Sequence, residues 1–170
     1  MDRYGPLRRD GDRAVLGGRE PAGYTPYFTP EGVGRQASGL IPWAGVRTLE
    51  VELAASPWSR ALEGALSVAG SLGSAPAGSL LRRDSVLRIG TAGGERLAWW
   101  FGVPRVEERW HPAVLEELFT ALGAAGRLAA LGGPELAGVL AGLPGVRPFP
   151  PGRRRSGLRE VLETALIGPS

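Results

Sequence analysis

A run of alternating apolar residues around two glycines, "SVLRIGTAGGERLAWWF" (residues 85–101), constrains the fold more than any other part of this sequence. Each half places its apolar side chains at every second position, on one face of a strand: Leu87 and Ile89 in the first half, and Leu97, Trp99 and Phe101 in the second. The two apolar faces match only if Ile89 pairs with Leu97. The same register pairs Leu87 with Trp99 and leaves the "AGG" segment as the loop. The run therefore predicts an antiparallel hairpin of defined register.

The chain before this hairpin shows further short strands separated by turns. "TPEG" (residues 29–32) has proline where a turn requires a φ near −65° and glycine where it requires conformational freedom. Three apolar residues then alternate with three polar ones: Leu49, Val51 and Leu53 with Thr48, Glu50 and Glu52. This period of two predicts a strand with one solvated face. Residues 1–22 are charged and rich in glycine and proline, which predicts a frayed leader or an irregular first strand.

A helix is predicted after the hairpin. Pro112 stands at its start, Glu116 and Glu117 lie near the positive end of its dipole, and one stripe of the helix is apolar. That stripe, which we expect to pack on the sheet, contains Val114, Leu115, Leu118, Phe119 and Leu122. We expect the helix to continue until Gly132 and Gly133.

Three other segments are predicted to be helical. Ser56 as a cap and the proline after it predict a helix within residues 57–79, which lies on the domain or inserts into a membrane surface. A short helix is predicted over residues 134–144. After it, the sequence predicts an extended linker over "RPFPPGRRR" and a weak, partly ordered terminal helix over "SGLREVLETAL". We therefore expect residues 147–170 to be dispensable for folding.

Four segments in this order, "FTPEGVGR", "IPWAGVRTLEVEL", "VLRIGTAGGERLAWWF" and "HPAVLEELFTAL", resemble bacterial pleckstrin-homology-like (PH-like) proteins. The resemblance covers residues 24–122. It implies an α+β fold: a PH-like antiparallel barrel of two packed sheets with a capping C-terminal helix. The predicted helical insertion at 57–79 and the extra C-terminal segments depart from that pattern. It also implies that Trp43 is a buried corner residue and not a ligand. Residues 23–132 would form the domain, and residues 133–170 would add short helices and a tail rich in proline and arginine.

The inventory of reactive side chains argues against an enzyme. The chain contains no cysteine and no lysine, and its one histidine, His111, stands at a helix N-cap position. Neighbouring glutamates at 107–108 and 116–117 point apart or are splayed, so we assign them to solvated surface. "GVGRQA" matches a dinucleotide-binding pattern, but no helical sequence follows it. We expect no catalytic residue, no metal ligand and no cofactor.

Arginine clusters are the remaining binding candidates. Arg88 and Arg96 are predicted to share the outer face of the hairpin with Trp100, where they form a candidate partner-binding surface. The alternative is a solvated face on which arginine stems cover apolar surface. Five other arginines are candidate anion-binding residues: Arg82, Arg83, Arg153, Arg154 and Arg155.

Taken together, these features predict a non-enzymatic binding or scaffold module that contacts another protein through a PH-like barrel. The alternative is a peripheral protein that binds anionic membranes or nucleic acid through its arginines. The absence of lysine and asparagine indicates a GC-rich coding sequence and a high-GC bacterium. Neither an apolar signal segment nor an apolar run long enough to span a bilayer is present, so we expect a cytoplasmic location.

Overall fold

Two antiparallel sheets form the β part of the computed structural model, which describes residues 2–18, 24–54, 85–103 and 110–167. Within those residues, the first sheet has six strands in sequence order: β1 (Arg3–Tyr4), β2 (Leu7–Asp10), β3 (Arg13–Leu16), β4 (Tyr27–Thr29), β5 (Gly32–Arg35) and β6 (Gly39–Pro42). The second sheet has three: β7 (Val46–Glu52), β8 (Ser85–Thr91) and β9 (Arg96–Phe101). Each sheet is a meander of consecutive strands.

The first three strands correct the prediction of a frayed or irregular leader. Leu7 of β2 pairs with Leu16 of β3, and both side chains are fully buried. Tyr4 of β1 is buried as well. Burying large apolar side chains contributes roughly 2 kcal/mol each, which outweighs the disordering effect of the surrounding glycines and charges. This segment therefore belongs to the core of the first sheet.

Trp43 lies where the chain passes from the first sheet to the second. It begins a short 3-10 helix (Trp43–Gly45) between β6 and β7. Its indole Nε1 donates a 2.9 Å hydrogen bond to the carbonyl oxygen of Thr29, and its ring stacks on that of Phe28 at 6.4 Å between centroids. Trp43 thus anchors the connection between the sheets, and it is partly buried against the core where substantial burial was predicted.

The second sheet has the register that the alternation predicts. Leu87 pairs with Trp99 and Ile89 pairs with Leu97. Thr91 and Glu95 close the loop through a 2.9 Å backbone hydrogen bond. On β7, Leu49 and Val51 are buried while Glu50 and Glu52 are exposed, as the period of two predicts. The predicted turn at residues 29–32 is also confirmed, since it connects β4 to β5.

Three α-helices follow the sheets within the described residues: α1 (Pro112–Ala124), α2 (Leu136–Gly142) and α3 (Pro151–Ile167). The predicted apolar stripe of α1 is buried, and α1 packs against β7. α1 ends before the predicted point, because Gly126 adopts a φ of +64° and closes the helix. The amide of Arg127 donates to the carbonyl of Leu122, which is the Schellman arrangement. A separate 3-10 helix (Leu128–Leu131) then follows.

The C-terminal segment differs most from the prediction. The expected linker becomes helical from Pro151 onward and continues into the expected terminal helix, so that one regular helix, α3, includes the arginine triplet. Leu158 and Leu162 of α3 are buried in the main core. α3 also lies close to α2, since a Cβ atom added at Gly142 would stand 2.8 Å from the methyl groups of Val161. Residues 151–167 are thus part of the folded domain and not a tail.

The observed architecture is α+β, with two antiparallel sheets and helices on the C-terminal side. Among the described strands the two sheets are open, and no strand pair closes them into the expected barrel. The predicted helical insertion at 57–79 lies outside the described residues. None of the described helices combines the length and apolarity that crossing a bilayer requires.

Candidate functional site

The predicted hairpin surface exists, but one of its arginines is already paired. Arg88, Arg96 and Trp100 lie on one face of the second sheet, and Trp100 is 49% exposed. Arg88 Nη2 lies 2.8 Å from Glu52 Oε2 on the neighbouring strand. Both side chains of this pair are about half exposed, so the pair itself adds little to stability. It does reduce the positive charge that the surface offers to a partner.

The arginine triplet on α3 is not a free anion-binding tail. Arg154 Nη2 lies 3.2 Å from Glu117 Oε2 on α1, and Arg154 Nη1 donates to the carbonyl of Pro148 at 3.0 Å. Arg155 Nε lies 3.2 Å from the other oxygen of Glu117. These two arginines join α3 to α1, whereas Arg153 is exposed. The other predicted anion-binding residues, Arg82 and Arg83, lie outside the described residues.

The glutamates at 116 and 117 are not merely solvated, which corrects the sequence interpretation. Glu116 Oε1 accepts a 2.9 Å hydrogen bond from the Leu53 amide and so ties α1 to the end of β7. Glu117 holds the two arginines of α3, and its side chain is only 17% exposed. Glu107 and Glu108 lie outside the described residues.

His111 caps α1, as its position before Pro112 predicts. Its Nδ1 accepts a 3.2 Å hydrogen bond from the Ala113 amide, and its own amide donates to the Tyr4 hydroxyl at 3.2 Å. Burial raises the pKa of the Tyr4 hydroxyl above its ordinary value, and the hydrogen bond from the His111 amide opposes that shift. The histidine therefore has a structural role in joining α1 to β1.

The "GVGRQA" segment forms strand β5 and the turn after it, not a strand followed by a helix N-terminus. A dinucleotide-binding loop requires that helix. Within the part of the chain that the structure describes, no group of three or more histidine, aspartate or glutamate side chains is placed to hold a metal ion.

A groove between α1 and α3 is the site that sequence reasoning missed. Its volume is about 540 Å³. Its apolar lining combines three alanines on and beside α1 with three leucines of α3: Ala121, Ala124, Ala125, Leu158, Leu162 and Leu166. The short alanine side chains leave space that larger residues would fill. The groove escaped prediction because it forms only when α3 is ordered and docked.

Charged side chains border this groove: Glu117, Arg127, Arg155, Arg159 and Glu163. Arg127 and Arg159 make no ion pair with any described residue, and both are exposed. Glu117 is already neutralised by Arg154 and Arg155, and the Arg155 side chain is 69% exposed. The rim therefore presents more positive than negative charge around an apolar floor.

No protein-family model, curated protein or solved structure matches this chain.

Proposed function

We propose that this protein is a non-enzymatic binding module that accepts an acidic, amphipathic helix of another protein in the groove between α1 and α3. The observation that carries the proposal is the combination of an apolar floor with rim arginines, Arg127 and Arg159, that form no ion pair with any described residue. Such a helix would place its apolar stripe on the leucines and alanines and its acidic flanks beside Arg127 and Arg159. Its backbone hydrogen bonds would already be satisfied before binding.

The form of the groove favours a helix over an extended peptide. A third helix laid between two others continues the same type of packing, in which side-chain ridges fill grooves. An extended peptide gains most of its affinity from an open sheet edge, which this groove does not offer. The charge on the rim favours acidic flanks because like charges would repel a basic helix.

The proposal retains the PH-like architecture as its structural frame. Two antiparallel sheets joined at Trp43 and a helix packed across β7 support it. It moves the expected contact surface, however, from the hairpin face to the helices. At the hairpin face Arg88 is paired with Glu52, whereas the groove combines apolar area with two arginines that form no ion pair with any described residue.

Helical peptides of about 18 residues, each with the same apolar stripe, test the proposal. The three peptides differ only in the residues on both flanks of that stripe, which are glutamate in the first, glutamine in the second and arginine in the third. Fluorescence anisotropy measures their binding to the protein. We expect the acidic peptide to bind best. The double variant Arg127→Glu with Arg159→Glu should weaken it at least about tenfold, which corresponds to about 1.4 kcal/mol.

Charge reversal at Arg88 and Arg96 is the matched control, because it changes the same charge on the hairpin face. We expect that control to change the affinity less than about twofold. The proposal is wrong if the hairpin control, and not the groove variant, abolishes binding. It is also wrong if anionic vesicles or single-stranded RNA bind and the acidic peptide does not, since that result supports the phosphate-binding alternative.

A further inference from the structure

Arg35, at the end of β5, lies against two aromatic rings. Its Cζ is 5.2 Å from the centroid of the Tyr24 ring and 5.6 Å from that of the Trp99 ring. Trp99 is buried in the core on β9, whereas the Tyr24 side chain is 52% exposed. The guanidinium therefore lies at the boundary between the core and solvent, beside Trp99 of the second sheet and Tyr24 of the segment that precedes β4. Contacts with two rings restrict the orientation of its plane.

Arg35 also has unused hydrogen-bonding capacity. Its Nε is buried and has no hydrogen-bond partner, and Arg35 forms no ion pair with any described residue. Because Nε is the buried nitrogen, a ligand would reach the guanidinium through its two terminal nitrogens. Most arginines in such partly buried positions are paired with a carboxylate or a carbonyl oxygen. Here the aromatic rings partly compensate the charge, and the terminal nitrogens form no hydrogen bond with any described residue.

We infer that Arg35 is a binding site for a carboxylate group of a ligand. The two terminal nitrogens of a guanidinium match the two oxygens of a carboxylate in one plane. A single arginine also matches the single negative charge, whereas phosphate sites usually gather several donors. The carboxylate would come from an acidic side chain or from the C-terminus of a peptide. None of these residues lines the groove between α1 and α3, so the inference is independent of the proposed function.

Nuclear magnetic resonance measures this binding, since it detects weak ligands. The arginine Nε–H signal of Arg35 and the indole N–H signal of Trp99 are followed while three probes are added separately. The probes are N-acetylglutamate amide, which carries a side-chain carboxylate, N-acetyl-diglycine, which carries a terminal carboxylate, and inorganic phosphate. We expect a saturable shift with at least one of the two carboxylate probes. The probe that binds more tightly shows whether the site prefers a side-chain carboxylate or a C-terminal carboxylate.

Arg35→Lys keeps the charge but loses the planar pair of donors. We expect it to weaken carboxylate binding at least about fivefold, read from the Trp99 indole signal. Arg47→Lys is the matched control, because Arg47 is an exposed arginine of β7 that makes no aromatic contact with any described residue. That control should leave the affinity unchanged.

Substitution of Tyr24 tests the site without altering Arg35, which matters if Arg35→Lys does not fold. Tyr24→Ala should weaken carboxylate binding about threefold or more, whereas Tyr24→Phe should retain it because the ring remains. The inference is overturned by shifts that stay linear with every probe, by saturation with phosphate alone, or by equal affinities of Tyr24→Ala and the unmodified protein.

Discussion

A single carboxylate, that of Glu117, pairs with two arginines of the last helix and joins it to α1. Arginines near the N-terminus of a helix oppose its macrodipole, so Arg154 and Arg155 would destabilise the start of α3 on their own. Glu117 lies 37 residues before Arg154 and places one oxygen near each guanidinium. Because Arg154 and Glu117 are largely buried, removing the carboxylate would leave a buried cation without its partner.

Replacing Glu117 by glutamine should therefore lower the free energy of unfolding by about 1–3 kcal/mol. Chemical denaturation followed by circular dichroism measures the change. Glu163→Gln is the matched control, since Glu163 is an exposed glutamate of α3 with no ion pair to a described residue. Equal effects of the two substitutions would contradict a structural role for Glu117.

The Tyr4 hydroxyl gives a pH dependence of stability whose sign follows from its raised pKa. In the unfolded chain the hydroxyl ionises near the ordinary value of 10.0, and in the folded protein it ionises at a higher pH. Its contribution to stability is therefore complete below pH 10.0 and is lost as the pH rises through the folded pKa. Tyr4→Phe removes this dependence.

Denaturation curves between about pH 8 and pH 11 measure this pH dependence of stability. We expect the stability of the unmodified protein to fall more steeply over this range than that of Tyr4→Phe. Parallel curves for the unmodified protein and Tyr4→Phe would exclude a contribution from Tyr4.

At the scale of elements, α3 is an integral part of the helical layer. Its apolar face packs on both other helices and contributes Leu158, which is 1% exposed, to the main core. Gly138 and Gly142 of α2 allow Val161 and Ala165 to approach closely. The expectation that residues 147–170 are dispensable rests on an extended linker, but the part of that linker from Pro151 onward belongs to this helix.

Truncation after Val146 should therefore abolish cooperative unfolding, because it exposes the core surfaces of α1 and α2. Thermal denaturation of the truncated chain measures this. A graded test is Leu158→Ala, which should cost about 2–5 kcal/mol, with Arg153→Ala on the exposed side of α3 as the control. A truncated chain that unfolds cooperatively at the original temperature would show that the linker prediction was right.

At the scale of the whole molecule, the first sheet and the helices meet through a close backbone contact. Gly132, after the 3-10 helix, faces the backbone of Thr29 at the end of β4, where an added Cβ atom would overlap that backbone. Trp43 donates its hydrogen bond to the carbonyl oxygen of the same Thr29. This point therefore joins both sheets and the helical segment.

Gly132→Ala should lower the free energy of unfolding by about 1–3 kcal/mol, because the backbone on both sides must move apart. Gly145→Ala is the matched control. Gly145 has open space around its Cα and an ordinary φ, so alanine there should be neutral or stabilise by up to about 1 kcal/mol. Urea denaturation compares the two, and a neutral Gly132→Ala would contradict the close contact.

Local patterns in the sequence determined the hairpin register and the start of α1. In the hairpin, a shift of one residue would turn Leu87 and Ile89 to the wrong face, so alternation alone selects the pairing. The cap of α1 depends on His111 and Ala113, which lie two residues apart. Such features depend on neighbours in the chain or on a short loop, and sequence reasoning therefore finds them.

Only the tertiary structure determined that the N-terminal segment forms strands, that the last helix is ordered and docked, and that a groove lies beside that helix. Residues 3–16 become strands because neighbouring strands accept their hydrogen bonds and bury their apolar side chains. Arg154 becomes an ion-pair partner because folding brings Glu117 to it from a distant part of the chain. Composition alone predicts that the N-terminal segment and the last helix are polar and weakly structured, because it does not show which charged residues form ion pairs in the folded protein. The free energy that orders them comes from contacts that exist only after the elements have packed.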